Sequence, residues 1–196
     1  MSEAARKQRA DARRNVEGIR RAALDVFRSG GLTIPLEEVA KAAGVSKGTI
    51  YHRFGSRRGL IDAVVDELVA ERMQAIVAAV SELDDPLQRF EQYLEGIWLL
   101  QFDEPAVNDV LMRALPDSEP LTGLCERAQE LAVRLLADAQ VAGVVRPDLT
   151  EDDLGHLILE RCLVVRGCDQ QPGQSRDDYR RRLRFLLDGL RASAAN

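Results

Sequence analysis

Residues 36–54, LEEVAKAAGVSKGTIYHRF, constrain the fold of this chain more than any other stretch. The apolar positions of the first half have the spacing i, i+3, i+4 and i+7, which places them on one face of a short helix. These positions are Leu36, Val39, Ala40 and Ala43. Gly44 ends this helix, because glycine takes the left-handed backbone of a helix C-terminus without steric cost. Ser46 then offers a hydroxyl that can cap a second helix.

The second helix keeps Ile50 and Phe54 on its inner face, at i and i+4. Its outward residues are Lys47, Gly48, Thr49, Tyr51, His52 and Arg53. Two short helices around a tight glycine turn, the second carrying groups that bind phosphate, predict a helix-turn-helix whose second helix lies in the major groove of DNA. The alternative is an ordinary helical hairpin with a solvated basic face.

A family resemblance follows from the same residues. AAGVSKGTIYHRFGSRRGLI, preceded by VEGIRRAALDVFRSGG, closely resembles the N-terminal domain of TetR (tetracycline-repressor) family regulators. The resemblance covers residues 15 to about 65, and it is carried by Gly44, Val45, Thr49, Tyr51, Phe54 and Leu60. It implies a sequence-specific transcriptional regulator, expected to be a homodimeric repressor that a small-molecule effector releases from a palindromic DNA operator.

The resemblance also implies roles for individual residues. Tyr51, His52, Thr49 and Arg57 would contact DNA phosphates, whereas Lys47 and Tyr51 would reach base edges. Gly48 would let the backbone approach the groove closely. Two hydroxyl residues complete the expected DNA-binding set, namely Ser46 and Thr33. The entry to the first helix, Ile34-Pro35, departs from the family pattern, and Thr33 is expected to replace the usual capping hydroxyl there.

Charge supports the DNA-binding interpretation independently. The net charge is −5, but residues 1–60 carry 13 Lys and Arg against 6 Asp and Glu, whereas residues 61–196 carry 14 against 26. A basic first part and an acidic remainder indicate that a polyanion meets the first part only.

The chain as a whole is predicted to be all-α, with nine helices. Ala, Leu, Arg and Glu dominate, and proline is confined to apparent helix starts. We expect a disordered basic arm over residues 1–14, a three-helix DNA-binding domain over 15–60, and a six-helix ligand-binding and dimerisation domain over 61–196. The arm would either contact DNA or be a solvated tail. Start signals predict C-terminal helices over about 57–80, 86–101, 105–115, 118–142, 151–166 and 176–191.

The last two helices are predicted to form the dimer interface. Both are rich in leucine, and the first of them is apolar on more than one side, so it has to be covered twice. A four-helix bundle across a twofold axis satisfies this requirement. The expected interface residues are Leu159, Leu163, Leu183, Leu187 and Leu190.

A ligand pocket is expected among the helices of the second domain. The candidate lining residues combine apolar, aromatic and polar side chains, and they are Trp98, Phe102, Met112, Cys125, His156 and Glu160. Each residue of these types is more often part of an ordinary core than of a ligand-binding wall. An architectural DNA-binding protein or a regulator that needs no ligand is the alternative function.

Other classes of protein are disfavoured. No nucleophile or paired carboxylate accompanies His156, so we expect no catalytic site and no cofactor. Cys125, Cys162 and Cys168 lack metal-ligand spacing, and structural thiols are favoured over redox sensing or a metal site. The longest apolar run, residues 75–80, is far too short to cross a membrane, and no secretory signal is recognisable. A cytoplasmic location is therefore expected.

Overall fold

This computed structural model describes residues 3–104, 106, 108, 109, 119–168 and 175–192. Eight α-helices form most of this described part of the chain. Residues 3–11, 65, 66, 68, 119–122, 124 and 162–168 are described by their backbone alone. In chain order the helices are α1 Glu3–Gly30, α2 Leu36–Ala43, α3 Lys47–Phe54, α4 Arg57–Ser81, α5 Pro86–Asp103, α6 Glu119–Val141, α7 Glu151–Cys168 and α8 Arg176–Leu190. Apart from one isolated bridge between Val145 and Arg191, the described residues form no β-structure, which confirms the all-α prediction.

The predicted boundaries of α4 to α8 agree with the structure to within two residues at each end. The start signals of α4, α5 and α8 form the expected caps, because the side chains of Ser56, Asp85 and Ser175 each accept a hydrogen bond from the backbone N–H three residues later. Local side-chain chemistry therefore determines where these three helices begin. The helix predicted over residues 105–115 lies largely outside the described residues.

The first helix begins much earlier than predicted. A disordered arm was expected over residues 1–14, but α1 is already helical at Glu3 and continues to Gly30. Residues 3–14, EAARKQRADARR, contain no glycine or proline and are mostly strong helix formers. The prediction was wrong because charge without apolar periodicity was taken for disorder, although nothing in this stretch stops a helix.

A first hydrophobic core joins α1 to the helix-turn-helix. Its central residues are completely or almost completely buried, and they include Ile19, Ala23, Phe27, Leu36, Val39, Ile50, Leu60 and Val64. Leu100 at the end of α5 and Ala106 belong to the same cluster. The helix-turn-helix is therefore packed directly against the end of α5.

Helix α4 connects this first core to the second one. Leu60 and Val64, near its N-terminus, lie in the first core, and Val80, near its C-terminus, lies in the second. Met73 and Ile76, between them, pack against both clusters. A displacement of α4 would therefore change the packing of both cores.

The second core is organised around α5, which contacts α4, α6, α7 and α8. Its largest fully buried side chains are Phe90, Tyr93, Leu94, Trp98, Leu135 and Tyr179. The end of α8 is fixed to the loop between α6 and α7, since Arg146 N–H donates to Leu190 O and Ala192 N–H donates to Val144 O, each at 3.0 Å. Among the described helices, none combines the length and apolar character that crossing a membrane requires.

Candidate nucleic-acid interface

The turn between α2 and α3 has the predicted geometry. Gly44 has φ 65° and ψ 30°, in the left-handed region that favours glycine. Val45 N–H then donates to Ala40 O at 3.0 Å, which closes the end of α2. Ser46 Oγ accepts a hydrogen bond from Thr49 N–H at 3.1 Å and caps α3. A tight turn of three residues, 44–46, thus joins the two helices.

Helix α3 presents one polar face to solvent while Ile50 is fully buried beneath it. Lys47, Gly48, His52 and Arg53 are exposed, and Tyr51 is 44% exposed. A large aromatic side chain that remains this exposed offers both a hydroxyl and an apolar ring to a partner surface. The helix can therefore be inserted into a groove without disturbing the core.

Thr49 lies differently from the other predicted contacts. Its side chain is half-buried, and its hydroxyl lies 2.9 Å from the Ser46 hydroxyl. The two hydroxyls are therefore already joined at the first turn of α3. Their expected contacts with DNA phosphate remain predictions.

Gly48 has no structural need to be glycine. A Cβ at this position would meet only Ser46 Oγ, at 3.7 Å, and would otherwise point into open space. Glycine in a helix interior costs about 1 kcal/mol relative to alanine. Protein packing therefore does not explain the residue, and its expected role in a close approach to the DNA groove remains a prediction.

Lys47 is held by two neighbours in the free protein. Its ammonium group donates to the Glu37 carboxylate on α2 and lies 5.9 Å from the centre of the Tyr51 ring. The hydrogen bond lowers the pKa of the Glu37 carboxyl and raises the pKa of the Lys47 ammonium. Both side chains are exposed, so this is a surface ion pair that a phosphate or base edge could replace.

The entry to α2 differs from the prediction at Thr33. The residue at the N-cap position is Pro35, with φ −59° and ψ 146°, and no side chain caps this helix. The Thr33 hydroxyl therefore does not replace the missing cap, because the helix begins two residues too late for it. Thr33 is exposed, so its expected contact with phosphate remains a prediction.

Arg57 performs a structural task that sequence analysis missed. Its guanidinium group, at the start of α4, donates to the backbone carbonyls of both Leu32 and Ile34. On the other side, Leu32 N–H donates to Asp109 Oδ2 at 2.7 Å, in a buried hydrogen bond. The segment before α2 is thus fixed by one cation and one carboxylate, and both lie far from it in sequence.

A second basic surface lies along α1. Arg13, Arg14 and Arg20 line a shallow depression of about 620 Å³ together with Arg53 from α3. Arg53 was recognised as outward-facing but was not assigned to the DNA-binding set. The depression connects α3 to the part of α1 that was expected to be an arm, and its positive charge suits a polyanion.

The expected ligand-binding residues do not share a surface. Trp98 is buried in the second core, Phe102 stacks on Tyr179 with ring centroids 4.7 Å apart, and Cys125 packs against the first core. Burial raises the pKa of the Cys125 thiol. His156 and Glu160 are exposed on α7, and Met112 lies outside the described residues. Their joint role as a pocket wall remains a prediction.

The expected dimer residues include two that were placed wrongly. Leu183 and Leu187 are buried in the protomer's own core, so they cannot contact a partner. Leu159 is 46% exposed and fits the prediction, whereas Leu190 is half-buried and the side chain of Leu163 is not described. The large exposed apolar residue of α8 is Phe185, at 70%, which sequence analysis did not single out among the surrounding arginines.

Comparison with known proteins identifies the family. Residues 19–64 match the N-terminal domain of bacterial regulatory proteins of the tetR family. Residues 85–192, more than half of the chain, match the C-terminal domain of SbtR-like transcriptional regulators. The chain belongs to the TetR family. It is therefore a transcriptional regulator with a DNA-binding helix-turn-helix, and members of this family are not enzymes.

Curated relatives of this TetR-family chain match only in part. The HTH-type transcriptional regulatory protein RaaS of Mycobacterium tuberculosis is 33% identical over 134 residues, which are 66% of this chain and 58% of RaaS. The HTH-type transcriptional regulator BetI of Stenotrophomonas maltophilia is 30% identical over 76 residues, which are 38% of this chain and 37% of BetI. The chain thus spans less than two thirds of the length of these relatives.

Solved TetR-family structures extend the similarity to the whole fold. A regulator from Streptomyces coelicolor is 26% identical with a TM-score of 0.54, covering 91% of this chain and 99% of its own. A transcriptional regulator from Saccharomonospora viridis in complex with choline has a TM-score of 0.68 at 20% identity, covering 94% and 100%. FadR of Bacillus subtilis in complex with stearoyl-CoA has a TM-score of 0.64 at 16% identity, covering 87% and 96%. The last two likenesses concern the fold alone.

Proposed function

We propose that this TetR-family regulator is a homodimeric repressor that binds a palindromic operator through α3 and is released by a small-molecule effector. The observation that carries the proposal is the outer face of α3. Lys47, Tyr51 and His52 are exposed there around Gly48, whose open surroundings leave room for a groove wall. Tyr51 and His52 would contact phosphates and position the helix, and Lys47 would reach a base edge.

Dimerisation is supported by exposed apolar side chains on the last two helices. Leu159 on α7 and Phe185 on α8 are among the few large hydrophobic residues that the described surface exposes. Covering them by a twofold-related copy would give the pair of recognition helices that a palindrome requires.

Effector control is supported by the two solved relatives with bound ligands. One is in complex with choline and the other with stearoyl-CoA, which differ in size and charge. Their chemistry is too diverse to transfer a ligand, but both belong to the same fold as this chain. The contact of α4 with both cores offers a physical route, because a ligand that favours one position of α4 would also favour one position of α3.

Binding-site selection tests the proposal most simply. The full chain would be incubated with random double-stranded DNA, and the enriched sequence used in gel-shift assays with Tyr51→Ala and His52→Ala. Each substitution removes a phosphate contact, so affinity for every DNA sequence should fall by about 0.5–1.5 kcal/mol, or about two- to tenfold. His156→Ala is the matched control, since it changes the other histidine of the chain, on α7, and should leave affinity unchanged.

Two outcomes would contradict the proposal. Failure of the selection to enrich any sequence, with DNA bound uniformly, would favour the architectural alternative. Equal affinities of the wild-type chain, Tyr51→Ala and His52→Ala would remove α3 from the interface.

A further inference from the structure

A groove of about 670 Å³ lies between α4, α5 and the first turns of α8. Its apolar surface comes from small and aliphatic side chains, including Ala75 and Ile76 of α4 and Leu99 of α5. Charged groups surround this surface, namely three arginines and four carboxylates. Five of the six residues that the sequence suggested for ligand binding are described by the structure, and none of these five lines this groove.

All four carboxylates accept hydrogen bonds from an arginine, and three of them lie in the more exposed part of the groove. Glu91 pairs with Arg191 through both oxygens, at 2.7 and 3.0 Å, and Asp103 accepts from Arg176 through both oxygens, at 2.9 and 3.0 Å. Glu95 accepts from Arg180 at 2.6 Å. In each of these pairs the positive charge of the arginine neutralises the negative charge of the carboxylate.

Glu104 differs from the other three carboxylates in its burial. Its residue is only 6% exposed, and its Oε1 accepts from Arg72 Nε at 3.0 Å. Its Oε2 is buried and has no hydrogen-bond partner in the described part of the structure. A buried carboxylate oxygen without a donor is unfavourable, because it has lost its water without a replacement.

The position of Glu104 adds to this local negative potential. It is the C-cap residue of α5, and the last turn of that helix carries no basic side chain. The partial negative charge of a helix C-terminus therefore coincides with the carboxylates of Asp103 and Glu104. A cation with N–H donors would be stabilised here by the helix end and by the unpaired oxygen together.

We propose that this groove binds a small organic ammonium ion. Its N–H group would donate to the Glu104 carboxylate, whose side chain would have to turn so that Oε2 meets the groove, and its hydrocarbon part would lie against Ile76 and Leu99. An anionic ligand fits less well, because the three arginines of the groove already donate to its carboxylates. Insofar as the amine is the effector, the inference rests on the proposed function.

Glu104 is also well placed to influence DNA binding. Through Arg72 it joins the end of α5 to α4, the helix that follows the helix-turn-helix. The next described residues of the chain lead to Asp109, which holds Leu32 N–H just before α2. An ammonium ion that bound this carboxylate more tightly in one arrangement of α4 and α5 would therefore shift the position of α2 and α3.

Calorimetric titration of the full chain without DNA tests the proposal, with n-hexylamine, 1-hexanol and hexyltrimethylammonium as probes. The amine should bind, and the other two, which lack either the charge or the N–H donor, should bind about 10- to 100-fold more weakly. Glu104→Gln should weaken amine binding by a similar factor. Glu91→Gln changes the net charge of the same groove equally and should change the affinity by less than about threefold.

Ala75→Trp provides a second variant, since it narrows the groove without touching Glu104, and it should abolish amine binding while circular dichroism remains native. The proposal is overturned if no amine binding is detected at millimolar concentration, if hexanol binds as well as hexylamine, or if Glu104→Gln binds like the wild-type chain. These outcomes leave DNA binding by α3 untouched. Conversely, amine binding without any change in the gel shift would uphold the site and contradict its role as effector site.

Discussion

At the scale of single residues, DNA has to compete with Glu37 for the Lys47 ammonium group, and the position of Lys47 in the sequence does not reveal this. Helical spacing predicts that Lys47 points outward, and it does. The sequence gives no indication of its partner, because Glu37 lies ten residues earlier on another helix. The same holds for Arg57, whose contacts with Leu32 and Ile34 depend on how α4 folds back. Periodicity predicts which face a side chain occupies, but only tertiary packing determines what it contacts.

Glu37→Gln should strengthen binding to DNA. The substitution removes the partner that holds Lys47 in the free protein, together with one negative charge near α3. Because an exposed ion pair is worth at most about 1 kcal/mol, the gain should be up to about fivefold in a gel shift at constant salt. Glu38→Gln removes the same charge from the neighbouring exposed position. An equal gain in both variants would show that general charge, not the release of Lys47, is responsible.

Gly48→Ala should separate folding from DNA binding. The added methyl group meets open space and improves helix propensity, so the free energy of unfolding should rise by about 0.5–1 kcal/mol in urea titrations. Affinity for the selected DNA should nevertheless fall, since the methyl group would hold α3 away from the groove. Gly18→Ala, at a similarly open position of α1, should stabilise the fold without loss of DNA affinity. Unchanged DNA binding by Gly48→Ala would contradict a close approach at this point.

At the scale of helices, side-chain caps within one turn determine where some helices begin, and contacts with residues distant in sequence determine where others begin. The starts of α4, α5 and α8 were predictable because each has a side-chain cap within one turn. The start of α1 was not, because helix-forming residues without an apolar stripe were interpreted as an arm. The entry to α2 was only partly predictable. It lacks a capping side chain, and the contacts that fix it come from Arg57 and Asp109 instead.

Arg57→Ala should therefore destabilise the helix-turn-helix at the entry to α2. Both carbonyl contacts are lost, which should lower the free energy of unfolding by about 1–3 kcal/mol and also weaken DNA binding. Arg58→Ala is the control, because Arg58 forms an i,i+4 pair with Asp62 at 3.6 Å that should contribute no more than about 0.5 kcal/mol. Denaturation monitored by circular dichroism measures the free energy of unfolding of both variants. Equal stability of the two variants would show that the Arg57 contacts do not fix the entry to α2.

At the scale of the whole molecule, the sequence predicted the class, the order of helices and the basic N-terminal side. It predicted less well which residues meet a partner. Leucines were expected on the outside of α8, but Leu183 and Leu187 complete the protomer's own core, and Phe185 is exposed instead. One helix stripe cannot be assigned to the core or to an interface before the neighbouring helices are placed. Glu104 was missed for the same reason, since its burial depends on α4.

Phe185→Glu should convert the dimer to monomers. A charged side chain at the centre of an apolar contact would be desolvated without a partner, and such losses commonly cost 2 kcal/mol or more, about a 30-fold weaker association. Sedimentation equilibrium would measure the shift. Val141→Glu places the same charge on another exposed apolar position, at the end of α6, and should leave the assembly unchanged. A Phe185→Glu chain that sediments like the wild type would place the interface elsewhere.

The central claim is that two copies of α3, related by a twofold axis, bind DNA together. Hydroxyl-radical footprinting of the full chain on its selected DNA tests it most directly. The account predicts two protected segments related by a dyad, with centres about one helical turn, ~34 Å, or slightly more apart. In Tyr51→Ala both should appear together only at a two- to tenfold higher protein concentration, and in His156→Ala at the same concentration as in the wild type. A single protected segment, or uniform protection along the DNA, would contradict the claim.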